Sequence, residues 1–343
     1  MVRKTVLVLA LVAAALVPTA LVETPPVPDP ATADMESEVA EKILSARRAV
    51  EEEPSSGEAW GNLGKVLHAH YLEAEAEPCY AEAHRLAPRD FRWPYLLARI
   101  LKSRDPGRGL DLLDDARRSK PDYAPLYLLA AELFEAEGDA GRAADSYRAA
   151  LSIDSESAAA EFGLGRLALV SGSLEESTRR LERAAALAPE AGSIQATLSQ
   201  LYRRVGRGED AIRAAERARR LHPDLDIRDP VLASVMEEAV SATGYQMRAL
   251  EAERAGDPSR AEFLLRRAIE VHPLDASLVY NLANHQSRQG QEEEAQESYR
   301  RALGLDPGHV GSLVNLGILT AQDGDVGAAK RYFEQALERD PAH

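Results

Sequence analysis

The feature that most constrains this chain is a ladder of alanines. Alanine recurs at positions 83, 116, 150, 184, 218, 268, 302 and 336, with steps of 33, 34, 34, 34, 50, 34 and 34 residues. Six glycines keep the same beat, at 138, 172, 206, 256, 290 and 324. Five residues after each alanine comes a proline, at 88, 121, 189, 223, 273, 307 and 341, with Ser155 the one exception. Glycine permits the positive φ that closes a helix. Proline cannot continue a helix and suits the start of the next. Each unit therefore reads helix, glycine turn, helix, proline turn. Eight such units cannot fold singly, because none encloses a core; stacking makes one.

Residue sizes inside the units carry a more specific likeness. The first unit places Trp60, Leu63, Gly64, Leu67, Ala76, Tyr80, Ala83 and Pro88 in order. The third has Tyr127, Ala131, Phe134, Ala143, Tyr147 and Ala150 in the matching places. The seventh has Leu282, Ala283, Ala295, Tyr299, Ala302 and Pro307, and the eighth Leu316, Gly317, Ala329, Phe333, Ala336 and Pro341. Small residues let paired helices approach, and large ones fill the gap to the next unit. This pattern over residues 57–343 resembles the tetratricopeptide repeat. The second unit departs most: it is one residue short and has Pro94 where an aromatic is usual. The resemblance implies an all-α, right-handed superhelical solenoid of eight helix-turn-helix repeats that binds partners through its surface. The aromatic content of 5% within 45% hydrophobic residues agrees with Ala/Leu helix packing.

The flanks read differently. Arg3 and Lys4 precede an uncharged apolar run from Thr5 to Val22. Residues 1–22 are read as a signal peptide or an N-terminal membrane anchor, both readings staying open. The basic start and the acidic residues that follow place the rest outside the cytoplasmic membrane, in a bacterial periplasm. Residues 23–34 hold four prolines and read as an extended linker. Residues 35–56 read as a capping helix with Val39, Ile43, Ala46 and Val50 on one face. The chain ends at a repeat boundary, which predicts a face on the eighth unit without a cap of its own, either covered by a partner or another copy or simply tolerated.

The 50-residue step marks an insert, residues 226–241, between units one to five (57–225) and six to eight (242–343). Asp229 can cap a helix and Pro230 suits its first turn. Val231, Leu232, Val235, Met236, Ala239, Val240 and Ala242 follow helical spacing into Tyr245. The pattern predicts that the insert lengthens the first helix of unit six. The array would then be five units, a protruding helix and three units, the extra helix being either filler packed onto the stack or a hinge or partner site between two blocks.

No pattern for catalysis occurs: no phosphate-binding glycine loop, Gly-x-Ser-x-Gly elbow or His-Glu-x-x-His. No cofactor motif is present. One cysteine, Cys79, excludes an internal disulfide. It reads as a packing thiol, with an intermolecular disulfide as the alternative in a periplasm; with His68 and His70 across the turn it could also suggest a copper site. His222, His272, His309 and His343 fall at turns and read as surface residues.

The net charge of −15 disfavours nucleic acid as partner. Unit two nevertheless has eight Lys/Arg against five acids, and unit five seven Arg against four. In the resembled family the first helix of each unit lines the concave groove. Those positions carry over to Lys65, His68, Arg92, Tyr95, Arg99, Arg166, Gln200, Arg203 and Arg204. A basic groove in an acidic protein would steer and hold an acidic peptide or a C-terminal carboxylate. Asn62, Asn281 and Asn315 stand at one register, where the family's amide bonds a peptide backbone. Tyr280 and Asn284 lie beside the latter two. The cluster Phe91, Arg92, Trp93, Pro94 and Tyr95, with Trp60, is either core or a binding anchor. These readings point to a non-catalytic scaffold or adaptor of the cell envelope. Two alternatives stand beside it: an accessory subunit docking an envelope enzyme or cytochrome, metal-linked through His68, His70 and Cys79, and a self-assembling structural protein.

Overall fold

A computed structural model of the protein describes residues 25–33, 35–221, 225 and 227–341. The apolar run, His222, Pro223 and His343 lie outside the described residues. Among those described there are eighteen α-helices and no strand. Helix α1 (Ser37–Glu52) precedes the repeats. The first helices of the units are α2 (Gly57–Ala69), α4 (Arg92–Leu101), α6 (Ala124–Ala136), α8 (Ala158–Ser171), α10 (Gly192–Arg204), α13 (Ala242–Arg254), α15 (Ala276–Arg288) and α17 (Val310–Gln322). Their partners are α3 (Glu73–Leu86), α5 (Pro106–Ser119), α7 (Ala140–Ile153), α9 (Leu174–Leu187), α11 (Gly208–Arg220), α14 (Pro258–Val271), α16 (Glu292–Leu305) and α18 (Val326–Arg339). Helix α12 (Pro230–Met236) is the insert.

The turn chemistry explains the glycine beat. All six ladder glycines have φ between +74° and +90°. A side chain there would be strained, whereas glycine is not. Aspartate follows three of them, and Asp139, Asp257 and Asp325 each accept a backbone N–H from the first turn of the next helix. One short turn thus ends one helix and caps its partner. The alanine ladder is the close-packing seam: Ala83, Ala116, Ala150, Ala184, Ala268, Ala302 and Ala336 are all buried. Ala218 alone is half-buried, on α11, after which the chain leaves the stack.

The insert does not lengthen α13. Helix α12 ends at Met236, a turn and an irregular stretch follow, and Ser241 caps α13 by accepting the Gly244 N–H at 3.0 Å. The apolar spacing that runs through 231–245 is shared by two short elements that bury the same side, so periodicity alone joined them. Nor does α12 protrude. Val231 and Val235 are buried against α2 and α4. The reading of Asp229 and Pro230 as cap and first turn holds, with Asp229 accepting the Leu232 N–H at 3.0 Å.

Unit six packs beside α1 rather than simply extending unit five. Glu36 accepts the Ala242 N–H at 3.0 Å and faces His272 at 3.1 Å. Glu38 accepts from Tyr245 Oη at 2.9 Å and pairs with Arg267 at 2.5 Å. One hydrophobic core therefore runs through α1, units one and two, α6 of unit three, α12, and units six and seven. Helix α1 covers unit one with Val39, Ile43 and Val50, and on its other side ties down the second block.

Candidate functional site

Two stretches of groove have opposite character. The first is the basic stretch of units one and two, and it is already occupied. Tyr95 and Tyr123 each donate a phenolic hydrogen bond to Asp229, one to each carboxylate oxygen, at 2.5 Å. Arg99 stands 3.8 Å from the same carboxylate, which is only 4% exposed. Tyr123 Oη also accepts the Val231 N–H at 3.1 Å. At the other end of α12, Glu238 pairs with Lys42 at 2.9 Å and Lys65 at 3.7 Å. Burial, and then the Asp229 carboxylate, push the Tyr95 phenol well above its ordinary range, so it stays a donor. An acidic piece of the same chain, with Asp229 and Glu238 at its two ends, lies in this basic stretch.

The remaining basic positions are also answered internally. Arg92 bonds Asp90 and Glu58, both at 2.6 Å, and its guanidinium lies 4.5 Å from the Trp93 ring centroid. Arg166 pairs with Glu135 at 2.7 Å. Arg203 donates to Ser199 Oγ at 3.2 Å and Arg204 to the Leu169 carbonyl at 2.9 Å, while Gln200 is exposed. Trp60, Trp93 and Tyr95 are fully buried, so that aromatic cluster is core.

His68, His70 and Cys79 do not converge on a metal site. His68 Nδ1 faces Tyr80 Oη at 3.3 Å, and the Cys79 thiol donates to the Glu75 carbonyl at 3.3 Å. Among the described residues no cluster of three His, Cys, Asp or Glu could hold a metal ion. Burial, with a smaller push from Glu75, raises the Cys79 thiol to about 12, so it is an unreactive packing group. Of the turn histidines, His272 is exposed, whereas His309 caps α17 and packs on Tyr280 with ring centroids 4.8 Å apart.

Burial, and then the Arg99 charge, lower His68 from 6.5 to about 4. It is therefore neutral in the fold at pH 7 but takes a proton on unfolding as pH drops. Its contribution to stability is full above pH 6.5, falls as pH drops, and is lost by about pH 4. The shift corresponds to about 3 kcal/mol. Urea midpoints measured at pH 7 and pH 4.5 should fall less for His68→Gln than for the unaltered protein; an equal fall contradicts this assignment.

The second stretch is the groove of units six to eight, and it is open. A cavity of 350 Å³ is lined by Met247, Leu250, Glu253, Asn281, Asn284 and Arg288, among others. Met247 and Leu250 are 44% and 47% exposed, and Ile318 continues the apolar row at 45%. Asn284 Oδ1 accepts from Tyr299 Oη at 2.7 Å and Asn315 Nδ2 at 2.8 Å, so these two amides are oriented by the fold. Asn281 has no hydrogen-bond partner among the described residues and faces the cavity. Tyr280 instead packs between units, against Tyr299 and His309. Burial would raise Glu253, but hydrogen bonds from His285 and Arg288 outweigh it and hold the carboxyl below its usual range.

Tyr71 stands at this second stretch, a position that unit-by-unit reading overlooked. It is the only non-glycine with positive φ (+62°) among the described residues. The residue is 73% exposed, and its Oη lies 3.8 Å from Met247 Sδ. The signal was in the glycine ladder. Counting back from Gly138 by one 34-residue and one 33-residue step reaches Tyr71, where glycine would be free of strain.

Comparison with known proteins agrees with this architecture. A tetratricopeptide-repeat family profile matches residues 100–161 and again 162–226. A second profile, that of the cilia and flagella-associated protein 70 middle TPR-like domain, matches residues 245–343. The chain belongs to the tetratricopeptide-repeat family. Its TPR units are similar to those of a tetratricopeptide repeat protein from Parabacteroides merdae, 15% identical over 72% of this chain and 92% of that one, with a TM-score of 0.48. YrrB, described as a TPR protein with an unusual peptide-binding site, is 19% identical over 67% of this chain and 93% of its own, with a TM-score of 0.26. A monomeric IFIT1 mutant solved with Gppp-AAAA is 15% identical, covering 88% of this chain and 67% of that one, with a TM-score of 0.41. These likenesses concern the TPR fold alone. No curated protein matches the chain.

Proposed function

We propose that this TPR protein is a non-catalytic interaction scaffold whose open groove, in units six to eight, receives a partner segment. The observation that carries the reading is Tyr71. A tyrosine held in the left-handed region, mostly exposed, reaches from the first block to the mouth of the second block's groove. Strain of this kind persists where the surroundings over-determine it and clusters at functional positions. Exposed aromatic and apolar groups supply contact area, and the free Asn281 amide offers both a donor and an acceptor to a peptide backbone. The partner segment is therefore apolar in side chain and bonded through its main chain.

Tyr71→Gly should relieve strain and stabilise the protein by about 1 kcal/mol. The same change should weaken partner recovery, together with Leu250→Glu, in pull-downs that compare variant with unaltered protein. Retained recovery of every partner by the doubly altered chain would count against this groove. The start at Arg3 and Lys4 and the apolar run from Thr5 to Val22 support a scaffold working outside the cytoplasmic membrane. No helix among the described residues is long and apolar enough to cross a membrane. Cell fractionation with a C-terminal tag tests the location: a cytosolic pool alone would sink it.

A further inference from the structure

Helix α12 lies in the groove of units one and two in the way a bound peptide would. An acid at its N-cap takes two tyrosine hydroxyls, one from each of α4 and the start of unit three, and stands near Arg99. Two apolar residues one turn apart, Val231 and Val235, are buried against the groove helices. An acid at its far end meets Lys42 and Lys65.

The attachment is also of a kind that can be undone. The helix has seven residues, far below the length at which a helix persists alone in water. Described residues on both sides, 227–229 and 237–241, are irregular, so α12 is continuous with no other helix and is held by its packing on α2 and α4 and by the buried Ala239 and Val240 beside it. Its contacts with the groove are made through side chains, apart from the N–H that Val231 gives to Tyr123 and the Glu238 backbone, just past the helix, that His70 meets. Such an element belongs to the least stable part of a fold.

We propose that units one and two form a binding site for an acid-capped amphipathic helical segment of a partner protein, and that α12 is the internal occupant this segment displaces. The chemistry of the occupant defines the partner. It carries aspartate or glutamate at the N-cap, apolar residues two and six positions later, and a second acid nine positions later, the spacing of Asp229, Val231, Val235 and Glu238. Tethering keeps the internal segment at a high effective concentration, so the unaltered protein discriminates against weak competitors. This site is separate from the open groove of units six to eight, and the two proposals can fail independently.

The test uses the full chain and a fluorescent peptide of residues 227–241. Full-length protein carrying Asp229→Asn and Glu238→Gln should bind the peptide saturably, at least tenfold more tightly than the unaltered protein. A peptide with Asp229→Asn should bind at least tenfold more weakly. No binding by an altered chain that keeps its helical circular dichroism, or equal binding of the two peptides, would overturn the proposal. Hydrogen exchange on the unaltered protein decides the matter independently. Amides of 232–236 should exchange faster than those of α2 and α4, and faster still with saturating peptide. If they exchange only with the slowest core amides, α12 is a fixed part of the fold and the proposal is wrong.

Discussion

Replacing Gly61 with alanine is expected to destabilise the protein by about 2–3 kcal/mol, although alanine is the better helix former by about 1 kcal/mol. A β-carbon at position 61 would sit 2.3 Å from Trp93 Cη2 and 2.4 Å from Cζ3. The indole cannot retreat. It is fully buried, stacked on Tyr80 with centroids 6.4 Å apart and planes 19° apart, and lies under the Arg92 guanidinium. The clash must therefore be absorbed by separating α2 from α4, which opens the seam between units one and two. Trp93→Leu alone should cost about 3 kcal/mol through the cavity it leaves. In the double variant the methyl occupies part of that cavity, so the combined loss should be at least 1 kcal/mol smaller than the sum. Urea unfolding of the two single variants and the double variant measures this. A neutral Gly61→Ala, or strict additivity, would show that the two residues do not form one packed contact.

The same pair shows what could be read from sequence and what could not. The register of the repeats was legible, because alanine, glycine and proline punctuate each unit by local rules: seam, positive φ and helix stop. Every ladder glycine has the predicted backbone, and Asp229 and Pro230 start a helix as their types require. The tryptophans were legible as large groups in units one and two, but their burial depends on a glycine more than thirty residues away for Trp93, which is a tertiary matter. The internal pairing of the basic groove was hidden for the same reason. Counting charges within a unit does not see the acid one repeat earlier, yet Arg92 meets Glu58 and Arg166 meets Glu135 across one repeat. The destination of α12 was least legible. Its partner residues Tyr95 and Tyr123 lie 134 and 106 positions from Asp229, and no local period reports such a contact.

Those long-range contacts change what the broken step in the ladder means. A stack of identical interfaces would have propagated without end through units five and six. Instead, the extra residues carry the chain back across units one and two, and α1 supplies acids to α13 and α14. The fold is thus two repeat blocks closed on each other. The first block's turn residue, Tyr71, can reach the second block's groove only because of that closure. A change that loosens α12 should therefore be felt at Met247 as well as at Tyr95.

Asp229→Leu should be the most informative single change of this kind. It leaves two phenolic hydroxyls and the Leu232 N–H without their acceptor, in a site where the carboxylate is 4% exposed. Unsatisfied buried donors and a lost N-cap together amount to about 4 kcal/mol. That sum is a ceiling, because lifting α12 out of the groove returns both hydroxyls to water. Once the helix leaves, further loss stops, and the drop in global stability equals the free energy that held α12 in place. Two measurements separate the cases. If α12 opens locally, proteolysis at 237–241 should accelerate at least tenfold while the urea midpoint falls by less than the ceiling. If α12 is welded to the core, the midpoint should fall by the whole amount and cleavage should follow global unfolding. A triple variant with Tyr95→Phe and Tyr123→Phe added should recover the part of the loss that comes from the two phenolic donors, while the Leu232 N–H stays uncapped and the Val231 N–H loses Tyr123 Oη as its acceptor. Failure of the triple variant to recover at all would mean that the loss lies in the helix cap and in the Asp229 charge beside Arg99, rather than in the two phenolic hydrogen bonds.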